Sequence, residues 1–143
     1  MPNYDLYPRV GTSDAGSPAS TGGAAPSTGL VPGATFNVRV PYTAGAGTTA
    51  NLTFVVGEKC RLIDAAAKTV TGVASSTIQV WTATGGTGTA CTSAMATASA
   101  GVTRDALTTA TQVFAAGATV FCYQSAGATL AGGELNLTFQ VEQ

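Results

Sequence analysis

The chain has 143 residues, enough for one domain with its own apolar core and too few for two of ordinary size. Only 9% of residues are charged, the net charge is −1, and the six Lys and Arg are dispersed, so no basic field exists to neutralise phosphates and nucleic acid is excluded as a partner. No apolar run approaches the roughly 20 residues needed to cross a bilayer, which excludes a membrane-spanning helix.

Residues 1–33 hold five of the six prolines and six of the eighteen glycines, and read as a flexible N-terminal arm. Between Gly11 and Gly33 almost every residue is Gly, Ala, Pro, Ser or Thr, too little apolar area to offset ordering entropy. The stretch Tyr4 to Val10 differs: it is short, aromatic and proline-stiffened, and Tyr4, Leu6, Tyr7 and Arg9 are its candidate partner-binding anchors. The spacer behind them spans roughly 25 Å as a coil and up to about 70 Å extended. Two readings stand side by side: an anchored arm that crosses a neighbouring subunit, and a segment without fixed structure. The opening MPNYDLYPRV lacks the apolar segment of a secretory signal, so synthesis in a reducing cytoplasm is expected.

From residue 34 to 143 the pattern predicts a β-sandwich domain. Phe36, Val38 and Val40 alternate with Thr35, Asn37 and Arg39 as a half-buried strand, which Pro41-Tyr42 is expected to break. Leu52, Phe54 and Val56 resume the alternation up to a turn at Gly57-Glu58. Lys59 to Ala66 reads as a strand with Cys60 and Leu62 on one face, although the AAAK run to Lys68 also suits a helical turn; Val70 to Val73 is ambiguous. Ser76 to Thr82 alternates Ile78 and Val80 against Gln79 and Trp81, placing Trp81 outward, before the Gly85-Gly86 turn. Thr87 to Thr109 predicts a short strand within a long loop. Strands follow at Gln112 to Ala115, Ala118 to Gln124 and Glu134 to Val141.

Seven or eight short strands with Gly-rich turns indicate a single antiparallel β-sandwich, jelly-roll-like or immunoglobulin-like in connectivity. The tetrapeptide NLTF occurs at Asn51 to Phe54 and again at Asn136 to Phe139, which either reflects convergence on a good strand pattern or predicts that the two pair in one sheet.

The chain contains no histidine, which removes Ser-His and Cys-His nucleophile systems. Cys60, Cys91 and Cys122 are odd in number and lack a CxxC pair, so buried free thiols are expected rather than a disulfide framework or zinc site. No pair of carboxylates is marked for acid–base work, and no Gly-rich phosphate-binding fingerprint is present. Without a secretory signal, the sequons at Asn51 and Asn136 are expected to stay unmodified. Catalytic residues, cofactors, metals and a small-molecule substrate are therefore not expected. Glu58, Lys59, Arg61 and Asp64 form the densest charge cluster; they read as solvated strand edge or, alternatively, as interface charges that fix register between subunits.

The succession KCRLIDAAAK, IQVW, CTSAMATASAGVTR and TQVFAAGATVFCYQSAGATLAGGELNLTFQV resembles small capsid decoration (cement) proteins of tailed bacteriophages, most of all in Val113 to Gly117 leading into Val120 to Tyr123. The resemblance covers roughly the last two thirds of the chain. It implies a non-enzymatic structural protein on the exterior of a virion, a homotrimer bound to the major capsid protein with arms reaching over capsid or adjacent copies. The alternative expectation is a receptor- or carbohydrate-binding fibre tip that uses Trp81 and Tyr123 as stacking platforms.

Overall fold

The computed structural model describes residues 30–84, 87–105, 107 and 113–143, which contain strands and no helix. In chain order the strands are β1 (Thr35–Tyr42), β2 (Gly45–Ala46), β3 (Thr49–Val55), β4 (Cys60–Thr71), β5 (Thr77–Trp81), β6 (Met95–Ala96), β7 (Gly101–Arg104), β8 (Val113–Phe114), β9 (Thr119–Ser125), β10 (Thr129–Leu130) and β11 (Gly132–Val141). One sheet has the order β1-β11-β4-β7, with β8 added to β4; the other has the order β3-β9-β5-β6. The short β2 and β10 pair with each other.

Leaving the two-residue β2, β8 and β10 aside, eight strands pair as a nested series: β1 with β11, β3 with β9, β4 with β7, β5 with β6. One antiparallel ribbon is rolled up so that β11 also meets β4 and β9 also meets β5. That is the strand order of a jelly roll, and it decides between the two connectivities that the sequence left open. The repeated NLTF segments do not pair. The first lies in β3 beside β9, the second in β11 between β1 and β4, in different sheets.

The core lies between the sheets. Phe139, fully buried, stacks on Phe36 with centroids 5.4 Å apart and meets Phe54 and Phe114 edge-on at 6.0 Å. Because Phe54 belongs to β3, this one ring ties the two sheets together. Further along, Leu135, Leu137, Ala65 and Ala67 face Ile78, Val80, Val120 and Cys122 across the sandwich, all fully buried. Gly133 sits where β11 crosses β4 most closely: a Cβ there would lie 2.2 Å from the Lys68 carbonyl oxygen, so no other residue fits without backbone movement. Beside it Tyr42 is buried, its hydroxyl 3.0 Å from Thr69 Oγ1.

Two departures from the sequence pattern have physical causes. Strand β1 continues through Pro41 and Tyr42, because β1 is an edge strand and proline's missing N–H costs no ladder bond on the open side. Strand β4 runs on to Thr71, and the AAAK run is extended, not helical. Its register against β11 shifts twice, leaving Ile63 and Val70 as bulged residues. The first bulge resets the alternation. Strict period two from Leu62 would point Asp64 inward; the extra residue instead turns Asp64 outward and brings Ala65, Ala67 and Thr69 to the core, avoiding a buried carboxylate. The stretch after Thr87 contains two short strands, β6 and β7, rather than one.

Candidate functional site

Among the described residues, charge is confined to one side of the sandwich. Arg39 lies on β1, Arg61, Asp64 and Lys68 on β4, Arg104 on β7 and Glu134 on β11; Glu58 and Lys59 lead into β4, Asp105 follows β7 and Glu142 follows β11. Strands β3, β5, β6 and β9, and the described residues of the loop from β5 to β6, carry none.

On the charged face the ions are largely satisfied within the chain. Arg61 Nε donates to Glu142 at 2.5 Å, Lys59 Nζ donates to the Gln143 carbonyl at 2.6 Å, and Arg39 stands 3.6 Å from Glu134. Arg104 donates to Asp64, a hydrogen bond and charge pairing that raise the arginine pKa further. Lys59, Arg61 and Asp64 of the cluster thus have separate partners, the first two just after β11 and the third on β7. Asp105 is a buried acceptor: it takes the Ser93 and Leu107 backbone N–H groups at 3.0 and 2.9 Å and the Ser93 hydroxyl, tying the loop before β6 to the end of β7. An acidic residue next to an arginine gave no sequence signal of that role.

The opposite face belongs to β3, β9 and β5. Their outward residues form cross-strand rows: Thr53, Phe121 and Trp81 in one, Asn51, Tyr123 and Gln79 in the next, Thr49, Ser125 and Thr77 in a third. Three aromatic side chains therefore share one uncharged surface, each half-buried by its neighbours. Trp81 points outward, as the alternation predicts. Thr82 and Thr89 hydrogen-bond to each other and Ala90 bridges back to Trp81, and the buried Trp81 Nε1 has no hydrogen-bond partner among the described residues. Gln79 reaches sideways to the Thr92 carbonyl at 2.8 Å. At the margin of this face Val55 is 58% exposed.

None of the three cysteines is in a disulfide, and all are buried. Burial pushes the Cys60 thiol up to about 11, with Glu142 and Glu58 adding to it, and likewise Cys91 to about 11. Burial and then the nearby Cys91 push Cys122 up to about 12. Such thiols stay protonated near neutral pH and are poor nucleophiles or metal ligands. No cluster of three His, Cys, Asp or Glu side chains occurs among the described residues. An open groove of about 460 Å³ at the end of the charged sheet is lined by Pro41, Tyr42, Lys68, Val70, Gly133 and Glu134. It holds one carboxylate and one ammonium, without a second acid or an activated nucleophile. No helix among the described residues is long and apolar enough to cross a membrane.

Of the predicted site residues, Glu58, Lys59, Arg61 and Asp64 lie in or just before β4, Trp81 and Tyr123 share the uncharged face, and Tyr4, Leu6, Tyr7 and Arg9 lie outside the described residues. Sequence reasoning missed Phe121 as a member of the aromatic face, although its place one residue before Cys122 on an alternating strand marks it as outward. Compared with models of known protein families, with curated proteins and with solved structures, the chain matches none.

Proposed function

We propose that this chain is a non-enzymatic virion structural protein that decorates and stabilises a bacteriophage capsid, as a homotrimer seated on the lattice of the major capsid protein. The observation that carries this reading is the segregation of charge: one sheet face is ion-paired, and the other is uncharged and holds Trp81, Phe121 and Tyr123. A face without charges desolvates at modest cost when a permanent neighbour covers it. Jelly rolls occur among viral capsid and lectin domains, an analogy of fold that is weaker support than the surface itself. The protein is made in the host cytoplasm and ends on the capsid exterior, with Tyr4, Leu6, Tyr7 and Arg9 anchoring the arm. Each contact is modest, and trimer valency with three arms multiplies the effective concentration by roughly 10² or more.

Electron microscopy of intact particles and co-sedimentation with emptied heads test the proposal. The protein is expected at repeated lattice positions, and removal of residues 1–29 is expected to weaken head binding while leaving the sandwich folded. Absence of density for the protein on any particle, with a monomer in sedimentation, would overturn it. A second reading, a glycan-binding tip, is favoured by the three aromatic rings on one face. Glycan binding abolished by Trp81→Ala with the fold intact would establish that reading instead.

A further inference from the structure

We propose that Ser76 and Thr97 form a buried binding site for a single water molecule, at the corner where the turn after β4 meets the residues after β6. The site lies in the interior and does not depend on the assembly reading above.

Three backbone hydrogen bonds close a ring at this corner. Val73 N–H donates to the Thr97 carbonyl at 3.1 Å, Thr97 N–H to the Ser76 carbonyl at 2.9 Å, and Ser76 N–H to the Val73 carbonyl at 3.0 Å. Ser75 turns the chain there with φ at 65°, in the left-handed region. A Cβ on Gly72 would lie 2.5 Å from Ser99 Cα, so the backbone that follows Thr97 rests directly on the turn. The ring sets Ser76 opposite Thr97, continuing the register of Thr77 with Ala96 and Ile78 with Met95. Ile78 and Val80 of β5 and Met95 of β6 are buried, and Ser76 and Thr97 take the next inward places, 1% and 0% exposed.

Two hydroxyls therefore stand side by side on the core side of the sheet. Neither Ser76 Oγ nor Thr97 Oγ1 has a hydrogen-bond partner among the described residues. Other buried hydroxyls do: Thr92 Oγ1 accepts from Val80 N–H at 3.0 Å, and Thr69 Oγ1 lies 3.0 Å from the Tyr42 hydroxyl. Leaving a hydroxyl buried without a partner is unfavourable, and interiors ordinarily satisfy such groups with a water held by several polar atoms.

The corner meets the needs of that water. Side chains of a cross-strand pair stand about 5 Å apart at Cβ, a separation that one water bridges between two short hydroxyls. The neighbouring inward pair, Ile78 and Met95, fills the equivalent space with larger side chains; Ser and Thr are smaller and leave room. Each hydroxyl both donates and accepts, and each carbonyl of the ring keeps a second lone pair, so the water is bound without breaking a backbone bond.

The test uses the full-length protein. In crystals that diffract far enough to show ordered solvent, a density peak is expected within hydrogen-bond distance of both Ser76 Oγ and Thr97 Oγ1, and in Thr97→Val crystals that peak is expected to vanish. In urea unfolding, Thr97→Val keeps the shape of the side chain and removes one holder of the water, so the folding equilibrium constant is expected to fall by roughly fivefold or more. The sign discriminates, because a hydroxyl without any partner is relieved by the same substitution and the constant then rises. Adding Ser76→Ala to Thr97→Val is expected to reduce the constant much less than Ser76→Ala alone does, since both hydroxyls hold one water. Absence of the peak, a direct contact between the two hydroxyls, a folding constant that rises in Thr97→Val, or strictly additive effects of the two substitutions would each overturn the proposal. The wild-type density decides the matter even where a variant fails to fold.

Discussion

The two outer faces of this sandwich are built from similar strands and present opposite surfaces. On the sheet of β1, β11, β4 and β7, outward positions hold Arg39, Arg61, Asp64, Arg104 and Glu134, and the bulges at Ile63 and Val70 break the regularity of β4. On the sheet of β3, β9, β5 and β6 the outward positions are Thr, Asn, Gln, Ser, Val and three aromatics, and the register of β3 with β9 is unbroken. The difference teaches how a chain with 9% charged residues divides its surface. Its few charges are placed together, where they keep one face hydrated and resistant to edge pairing, which leaves the other face suited to association.

If that division is a matter of surface alone, both sheets must depend on one core. Phe139→Ala is the sharpest test, because its ring contacts Phe36 on its own sheet and Phe54 on the other. Loss of about 3–5 kcal/mol is expected in urea unfolding, as a single transition seen alike by tryptophan fluorescence, which reports β5, and by circular dichroism. Two separated transitions would mean that the sheets are independently stable and that the comparison concerns two cores, not two faces.

Thiol ionisation probes the same comparison at smaller amplitude. Each folded thiol has its pKa raised above its ordinary 9.0, to about 11 for Cys60 and Cys91 and about 12 for Cys122. The unfolded chain therefore loses these protons first. Their contribution is complete below pH 9 and is lost as pH climbs through 11 to 12, so the unfolding midpoint falls on the alkaline side. Tyr42, raised by burial against the opposing effect of its Thr69 hydrogen bond, titrates from a higher starting value. Cys60 has finished losing its share near pH 11 whereas Cys122 continues to about 12, so Cys122→Ala is expected to flatten the decline between pH 11 and 12 more than Cys60→Ala does. Equal slopes in both variants would remove the asymmetry.

How much of this was legible in the sequence follows from where period two holds. Strands β1, β3, β5, β9 and β11 alternate cleanly, so the sandwich, the buried Cys122 and the outward Trp81 are readable from the residues. Strand β4 was legible only in its first half, because a bulge at Ile63 shifts the pattern by one and makes the inward residues Ala65 and Ala67, whose small side chains suit a helix equally well. Strands β6 and β7 total six residues, too few for any periodicity to register. The segregation of charge was invisible for a different reason. Positions far apart, such as Asp64 and Arg104, become neighbours only through the rolled ribbon, and one sequence does not display strand order.

The smallest effect on stability is expected from the change that most directly erases the contrast between edges. Arg39→Thr with Pro41→Thr gives β1 the neutral, proline-free character of β3. The Arg39–Glu134 pair is long at 3.6 Å and Arg39 is 73% exposed, so its loss costs at most about 0.5 kcal/mol. Releasing Pro41 on an outward edge position removes a conformational restraint worth about 0.4–1 kcal/mol while freeing an N–H that water satisfies. The fold is thus expected to persist within about 1 kcal/mol of wild type. Association is expected to change far more: with both guards gone, sedimentation velocity should show concentration-dependent species absent from the parent, because an unblocked edge recruits another strand. If the double variant instead sediments as the parent does at every concentration, Arg39 and Pro41 do not guard β1.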